Sequence, residues 1–145
     1  MNKTLAKLIV VDDERAQNEA LCHLLKERGF EVFGFSTPAE ALDFISCTQA
    51  DLLLTDLKLP GFSGIELIGK VKVVQPDLSC ILMTGHGSVE TAVEALNLGV
   101  QDYVLKPFKI GHVLSSIHKA LNFQRLRKNN ETLLRQLSVS NQQLK

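Results

Sequence analysis

The stretch LIVVDD, residues 8–13, decides the fold of this 145-residue chain, because an apolar run of four residues stops abruptly at two aspartates. A short apolar run without alternation is typical of a strand that is buried on both faces. Residues 14–28 then place apolar side chains at helical spacing, and Gly29 ends that helix. A buried strand followed at once by an amphipathic helix indicates a parallel α/β sheet.

The same unit recurs four more times along the chain. The further predicted strands cover residues 31–35, 51–55, 78–84 and 102–105, and the further predicted helices begin after residue 37 and cover 64–74, 88–98 and the residues from 110 onward. We expect Ser36 or Thr37 to cap the second helix. Pro38 in its first turn and Glu40 at the capping-box position support that start. Five strands that alternate with five helices predict an α/β fold with a doubly wound, five-stranded parallel sheet.

The composition is typical of a globular protein from a reducing compartment. Hydrophobic residues make up 45% of the chain and charged residues 22%. No apolar run reaches the roughly 18 residues of a membrane span, and no secretory signal precedes the first strand. Cys22, Cys47 and Cys80 are widely spaced, which argues against a disulfide framework or a zinc site. We therefore expect a cytoplasmic protein without a membrane partner.

Charge divides the chain into two parts, although the net charge is zero. Residues 1–108 hold 15 acidic and 9 basic residues, a net charge of −6. Residues 109–145 hold 7 basic residues and a single acidic one, a net charge of +6. Such a distribution indicates two segments with different roles.

Polar residues close four of the five predicted strands: Asp12 and Asp13, Asp56, Thr84 and Lys106. The carboxyl ends of parallel strands meet at one edge of the sheet, where ligands bind in doubly wound folds. Each residue alone has an ordinary interpretation as a helix cap, a turn residue or a strand end. Their coincidence at one edge favours a single functional site.

Three neighbouring carboxylates repel one another and are tolerated best around a cation. A hard divalent ion such as Mg²⁺ is the natural choice for oxygen ligands. This set of groups suits phosphoryl transfer to a carboxylate, in which one aspartate is the nucleophile. The metal would neutralise the phosphoryl oxygens, and a lysine and a hydroxyl would hold the others.

With these residues in place, the sequence resembles the receiver domain of two-component response regulators over residues 6–122. The resemblance rests on four motifs in order: VVDDE (10–14), LLTDLKLPGFSG (53–64), ILMTGHG (81–87) and ALNLGVQDYVLKPF (95–108). It implies a flavodoxin-like sheet with strand order 2-1-3-4-5, one of the two common orders of doubly wound folds. It also implies a signalling module rather than an enzyme, which catalyses only its own Mg²⁺-dependent aspartyl phosphorylation and dephosphorylation.

The resemblance assigns the metal site residue by residue. It implies that Asp56 is the phosphoacceptor and also a metal ligand. Asp13 would bind Mg²⁺ directly, and Asp12 would position the ion through water. The backbone carbonyl of Lys58 would be the third protein ligand.

The resemblance also assigns the groups that respond to the phosphate. Thr84 would hydrogen-bond the phosphoryl group, and Lys106 would pair with Asp56 or its phosphate. Tyr103 would be an aromatic switch that turns inward as Thr84 moves, although a half-buried strand aromatic is the ordinary alternative. The peptide bond before Pro107 is often cis in this family.

The implied partner is a sensor histidine kinase, and the implied output is a changed surface around the fourth and fifth helices. Residues 84–108 resemble receivers that govern sigma-54 activators, but receivers on phosphodiesterase or cyclase outputs share much of this pattern. Two other classes fit less well. An aspartyl-phosphate phosphatase would carry a second aspartate where this chain has Lys58. A nucleotide-binding domain would have a glycine-rich first loop, whereas this loop is acidic.

The C-terminal part is predicted to be helical. Residues 110–145 lack proline and could form one helix of about 50 Å. We expect a receiver domain over residues 1–122 and a helical linker over 123–145 that begins a coiled coil, forms a homodimer and leads to an output domain missing from this chain. The heptad positions are Phe123, Asn130, Leu137 and Leu144 on one side and Leu126, Leu133 and Ser140 on the other. A simple linker helix is the alternative, and we expect no direct nucleic-acid binding because no helix-turn-helix pattern is present.

Overall fold

Five parallel strands and five helices alternate along the residues that the computed structural model describes, 5–85 and 89–143. The strands are β1 (Lys7–Val11), β2 (Glu31–Phe35), β3 (Leu52–Asp56), β4 (Ser79–Thr84) and β5 (Asp102–Leu105). The helices are α1 (Arg15–Glu27), α2 (Pro38–Cys47), α3 (Gly64–Val74), α4 (Val89–Asn97) and α5 (Ile110–Gln143). The strand order is β2-β1-β3-β4-β5 with every pairing parallel, which confirms the predicted fold.

The element boundaries follow the prediction closely, and local hydrogen bonds explain the small differences. Leu78 precedes β4 because its N–H closes a turn onto the carbonyl of Gln75, 3.0 Å away. Thr37 rather than Ser36 caps α2, since its hydroxyl accepts a bond from the N–H of Glu40 at 3.3 Å. The predicted start of the fourth helix at Ser88 lies outside the described residues.

The central strands are buried on both faces, as their continuous apolar sequence predicts. Residues 8–11 of β1 and 52–54 of β3 have no exposed surface. Alternate side chains pack toward α2 and α3 on one face and toward α1 and α5 on the other. Burial on both faces holds the strands in place, and this also sets the positions of the residues at their carboxyl ends.

Helix α5 changes character along its length. Val113, Ile117 and Ala120 are buried against the sheet. The side chain of Gln124, 7% exposed, donates to the carbonyls of Asp51 at 3.1 Å and Asp77 at 2.6 Å. The large apolar side chains that follow, up to residue 138, are exposed. None of the helices in the described part has the length and hydropathy that a membrane span requires.

Candidate functional site

The three predicted carboxylates meet at the carboxyl edge of the sheet. Asp12 follows β1, Asp13 follows Asp12, and Asp56 ends β3, so each is delivered by a strand that is fixed in the core. Each offers one oxygen within 4.8 Å of the oxygens of the other two. Asp12 is buried, Asp56 is partly buried and Asp13 is exposed. The cluster is therefore anchored in the protein and open to solvent on one side.

Lys106 enters this cluster from the end of β5. Its Nζ atom donates to Asp12 Oδ2 at 3.0 Å and to Asp56 Oδ2 at 3.2 Å. A third bond runs to Gln17 Oε1 at 3.1 Å. The backbone N–H of Lys106 donates to the carbonyl of Thr84 at 2.8 Å, and the Lys106–Pro107 peptide bond is cis. The ammonium thus joins two carboxylates that come from different strands.

The carboxylates of the site outnumber its ammonium groups. Burial raises the pKa of the Asp56 carboxyl above its ordinary value, and the charge of Lys106 opposes this rise without cancelling it. Burial lowers the pKa of Lys106, but the hydrogen bond to Asp12 and the charge of Asp56 outweigh burial and leave that pKa raised. One ammonium faces three carboxylates. A divalent cation is the group that this set of oxygen donors fits.

The backbone around Asp56 is held tightly. The N–H of Leu57 lies 2.9 Å from Asp56 Oδ1 and 3.0 Å from the carbonyl of Met83. The N–H of Gly64, the first residue of α3, donates to the carbonyl of Leu57 at 2.8 Å. A methyl group on Gly64 would overlap the carbonyl oxygen of Asp56, so only glycine fits there. Lys58 lies exposed in the loop between these elements.

Thr84 and Tyr103 occupy the places that the sequence predicts for them. Thr84 ends β4 and is 2% exposed. Tyr103 pairs with Leu82 in the sheet and packs against the core on the face of the sheet that α2 and α3 cover. Among the described residues, its hydroxyl is the one buried side-chain oxygen or nitrogen without a hydrogen-bond partner. Residues 86–88, which include the end of the ILMTGHG motif, lie outside the described residues.

Two residues of α1 belong to the site although the sequence analysis did not single them out. Gln17 contacts Lys106 as described above, and nothing in the sequence pattern of an exposed helix position indicates this. Asn18 is 8% exposed, and its Nδ2 donates to the carbonyls of Asp12 at 2.9 Å and Phe35 at 2.8 Å. A polar residue on the apolar face of α1 was a usable signal for Asn18. A Cβ atom on Gly34 would lie 2.6 Å from Asn18 Oδ1, so β2 leaves room for this amide.

The fold and the site define a class of protein. It is a doubly wound α/β module with an acidic cluster and a lysine at the carboxyl edge, where such folds bind their ligands. The model of the response regulator receiver domain family matches residues 8–118. The chain belongs to this family, as its resemblance to receiver domains implied.

Relatives of known sequence and structure agree with this assignment. The chain is 33% identical over 137 residues to the C4-dicarboxylate transport transcriptional regulatory protein DctD of Rhizobium meliloti, covering 94% of this chain and 30% of that protein. It thus spans less than two thirds of the length of the first curated relatives it matches. A CheY-like response regulator receiver domain from Methanospirillum hungatei superposes with a TM-score of 0.83 at 32% identity, covering 86% of this chain and 99% of that one.

A third relative was solved in a modified state. It is a response regulator from Burkholderia pseudomallei, described with a phosphorylated aspartic acid, a calcium ion and citrate. It superposes with a TM-score of 0.74 at 27% identity, covering 88% of this chain and 74% of that one.

Proposed function

We propose that this receiver domain accepts a phosphoryl group from a sensor histidine kinase on Asp56, in the cytoplasm and with Mg²⁺ as cofactor. The observation that carries the proposal is the ammonium of Lys106 placed between Asp12 and Asp56, inside a cluster of three carboxylates. Such a cluster is unfavourable by itself and becomes useful when a cation and a phosphoryl group join it. The phosphorylated aspartic acid and the calcium ion of the Burkholderia relative support the same chemistry.

In the proposed transfer, a carboxylate oxygen of Asp56 forms a bond to phosphorus as the bond from phosphorus to the kinase's histidine nitrogen breaks. The imidazole keeps the electron pair of that bond. Lys106 already donates to Asp56 Oδ2, so it stands beside the oxygens that gain negative charge. The hydroxyl of Thr84 would donate to a second phosphoryl oxygen from the adjacent strand end.

The carboxylates would hold Mg²⁺ in distinct roles. Asp13 is exposed and accessible to the ion, and would bind it directly together with Asp56 and the backbone carbonyl of Lys58. Asp12 is turned toward Lys106 and toward the N–H of Glu14, 2.9 Å from its Oδ1, which suits a role through bound water. The ion supplies neutralisation of the phosphoryl oxygens.

Tyr103 is proposed to report the phosphorylated state to the surface. Its hydroxyl is buried without a partner among the described residues, an arrangement that carries an energetic penalty of about 1–3 kcal/mol. A movement of Thr84 toward the phosphate would change the space beside Tyr103 and therefore shift the balance between its orientations. The surface of α4 and α5 would change with it.

A mass measurement tests the phosphoacceptor. We expect a small acyl phosphate and Mg²⁺ to add one phosphate to the wild-type chain, and a chelator to reduce this sharply. Asp56→Asn should abolish the adduct, because an amide oxygen is a poor nucleophile. Asp51→Asn, at the opposite edge of the sheet, is the matched control and should retain it. An adduct that persists in Asp56→Asn would show that another group is the acceptor.

We further propose that the helix beyond residue 122 forms a coiled coil with a second copy and leads to an output domain. Its predicted core positions Phe123, Leu126, Leu133 and Leu137 are between 52% and 60% exposed. Asn130 interrupts them and would favour an in-register pair. Ser140 and Leu144 fall outside the side chains that the structure describes.

Sedimentation of the full chain tests this dimer. Leu133→Lys removes a leucine that each copy would bury in the dimer, about 3 kcal/mol in total, and should weaken the dimer roughly 100-fold. Thr132→Lys adds the same charge at an outer heptad position, away from the predicted core, and should change the constant little. If both variants have the wild-type monomer–dimer constant, the helix is a linker only.

A further inference from the structure

Gln17 bridges α1 and the reactive edge of the sheet. Its side-chain carbonyl Oε1 accepts a bond from Lys106 Nζ at 3.1 Å. The proposed phosphoryl transfer assigns no role to this neutral amide. Gln17 nevertheless touches the one cation that joins Asp12 to Asp56 among the described residues.

The ammonium of Lys106 has no N–H to spare. A lysine ammonium carries three donors, and here three acceptors at 3.0, 3.1 and 3.2 Å use all of them. The acceptors come from the end of β1, from α1 and from the end of β3. Three bonds from three elements fix the position of a side chain that is otherwise flexible.

Within the groove beside Lys106, no other side chain of the described residues can take the place of Gln17. Its side chain lies at the polar end of a groove of about 540 Å³ between α1 and the loop that follows β5. The rest of that groove is lined largely by apolar residues, among them Ala20, Leu24 and Phe108. Of the described residues that line it, only Asp12 and Gln17 have side chains that accept hydrogen bonds from Lys106.

Phosphorylation would change one of the three bonds and leave two. Once Asp56 carries a phosphoryl group, its former carboxylate is part of a neutral acyl linkage. The negative charge of the modified side chain is then on the phosphoryl oxygens. The N–H of Lys106 that donates to Asp56 Oδ2 would then donate to one of those phosphoryl oxygens instead. The bonds to Asp12 and Gln17 hold the ammonium in place while this exchange occurs.

We infer that Gln17 is a positioning residue, which holds the Lys106 ammonium toward the phosphoryl group and thereby raises the rate of Asp56 phosphorylation. The inference rests on the proposed function and names a residue that governs its speed. Loss of the hydrogen bond between Lys106 and the neutral amide of Gln17 should lower the rate of Asp56 phosphorylation about fivefold.

The experiment compares phosphorylation rates with a small acyl phosphate at saturating Mg²⁺. Gln17→Met keeps the length of the side chain and removes the acceptor, so the rate should fall about fivefold. The Mg²⁺ affinity and the melting temperature should stay at their wild-type values, because no metal ligand or buried group is changed. Ala16→Met, one residue earlier on the exposed side of α1, is the control and should keep the wild-type rate.

A double-mutant cycle separates positioning from a general effect on the helix. In a Lys106→Met background, which phosphorylates more slowly, adding Gln17→Met should cause no further loss. A wild-type rate in Gln17→Met, or the same loss in both backgrounds, would overturn the inference. A wild-type chain that takes no phosphate would instead overturn the proposed function. The absolute wild-type rate and the ratio of variant to wild type therefore test different statements.

Discussion

The two edges of the sheet carry aspartates in opposite situations. At the amino edge, Asp51 Oδ2 accepts the N–H of Lys7 at 2.7 Å, and Asp77 Oδ1 accepts a bond from Arg127 at 2.7 Å. Each of these carboxylates has a donor of its own. At the carboxyl edge, Asp12 and Asp56 share a single ammonium, and Asp13 lies beside them. The crowding is therefore specific to the edge where ligands bind.

The glutamine side chains of the two edges also differ in their partners. At the amino edge, Gln75 donates to the carbonyls of Ile45 and Thr48 at 2.7 Å each, and Gln124 ties α5 to two further carbonyls. These side chains satisfy backbone groups and hold the fold together. At the carboxyl edge, Gln17 is bonded to a charged side chain instead. The glutamines of the amino edge therefore serve the fold, whereas Gln17 contacts the charged groups of the proposed reaction site.

The largest expected effect on stability is at Gly64, where the backbone of α3 lies closest to the end of β3. Gly64→Ala places a methyl group against the carbonyl of Asp56, which cannot move without shifting β3, so unfolding in urea should show a loss of about 3 kcal/mol. Phosphorylation should fall with it, because Asp56 is displaced. Gly69→Ala, in the same helix but with no atom within 4 Å, should instead stabilise by about 0.5–1 kcal/mol. Equal stability of the two variants would show that the contact at Gly64 relaxes easily.

Much of this arrangement was predictable from the sequence. The position of each strand end follows from where an apolar run stops, and that is a local property of stretches such as residues 8–13. The shared edge then follows from the parallel topology. Asp12, Asp13, Asp56 and Lys106 therefore come together as the sequence predicts.

The remaining contacts depend on how elements pack against one another. The bond between Gln17 and Lys106 requires a particular rotation of α1 relative to β5, which the helical pattern does not specify. The glycine at position 64 is explained only by the close approach of α3 to the end of β3. Gln124 lies past the last predicted receiver residue, and its contacts join positions 73 and 47 residues apart in the chain. No local pattern encodes such distances.

The next largest effect concerns the metal. Asp13→Asn removes one charge from a proposed direct ligand of the ion. A carboxylate contributes about 2 kcal/mol in water even at about 4 Å from a divalent cation, which is farther away than a direct ligand, so Mg²⁺ affinity should fall at least roughly 30-fold. Asp51→Asn removes one charge at the amino edge and should leave the affinity unchanged. Isothermal titration of both variants decides the matter. Equal affinity in Asp13→Asn and the wild type would mean that the ion binds elsewhere.

The smallest expected effect is the change in stability caused by Asp56→Asn, and its sign tests whether the two edges of the sheet differ. Because the pKa of Asp56 is raised on folding, the folded state binds its proton more tightly than the unfolded state does. The stability that depends on Asp56 is therefore present below the ordinary pKa of 3.8 and is lost as pH rises through the raised value. At neutral pH without Mg²⁺, Asp56→Asn should be more stable than the wild type, first because a neutral amide avoids the cost of burying the carboxylate charge and second because it removes the repulsion by Asp12.

Thermal unfolding across pH tests this sign at both edges. The gain in Asp56→Asn should shrink as pH falls through the raised pKa of Asp56 toward 3.8, and should be absent below 3.8, where the wild-type carboxyl is protonated in both states. Asp51→Asn should give no gain at neutral pH, because the Asp51 carboxylate already accepts the N–H of Lys7. Saturating Mg²⁺ should reverse the order of Asp56→Asn and the wild type, since the ion binds the wild-type cluster more tightly and stabilises it by mass action. If Asp56→Asn is instead the less stable protein at neutral pH without metal, the ammonium of Lys106 already compensates the cluster, and the two edges do not differ in the way argued above.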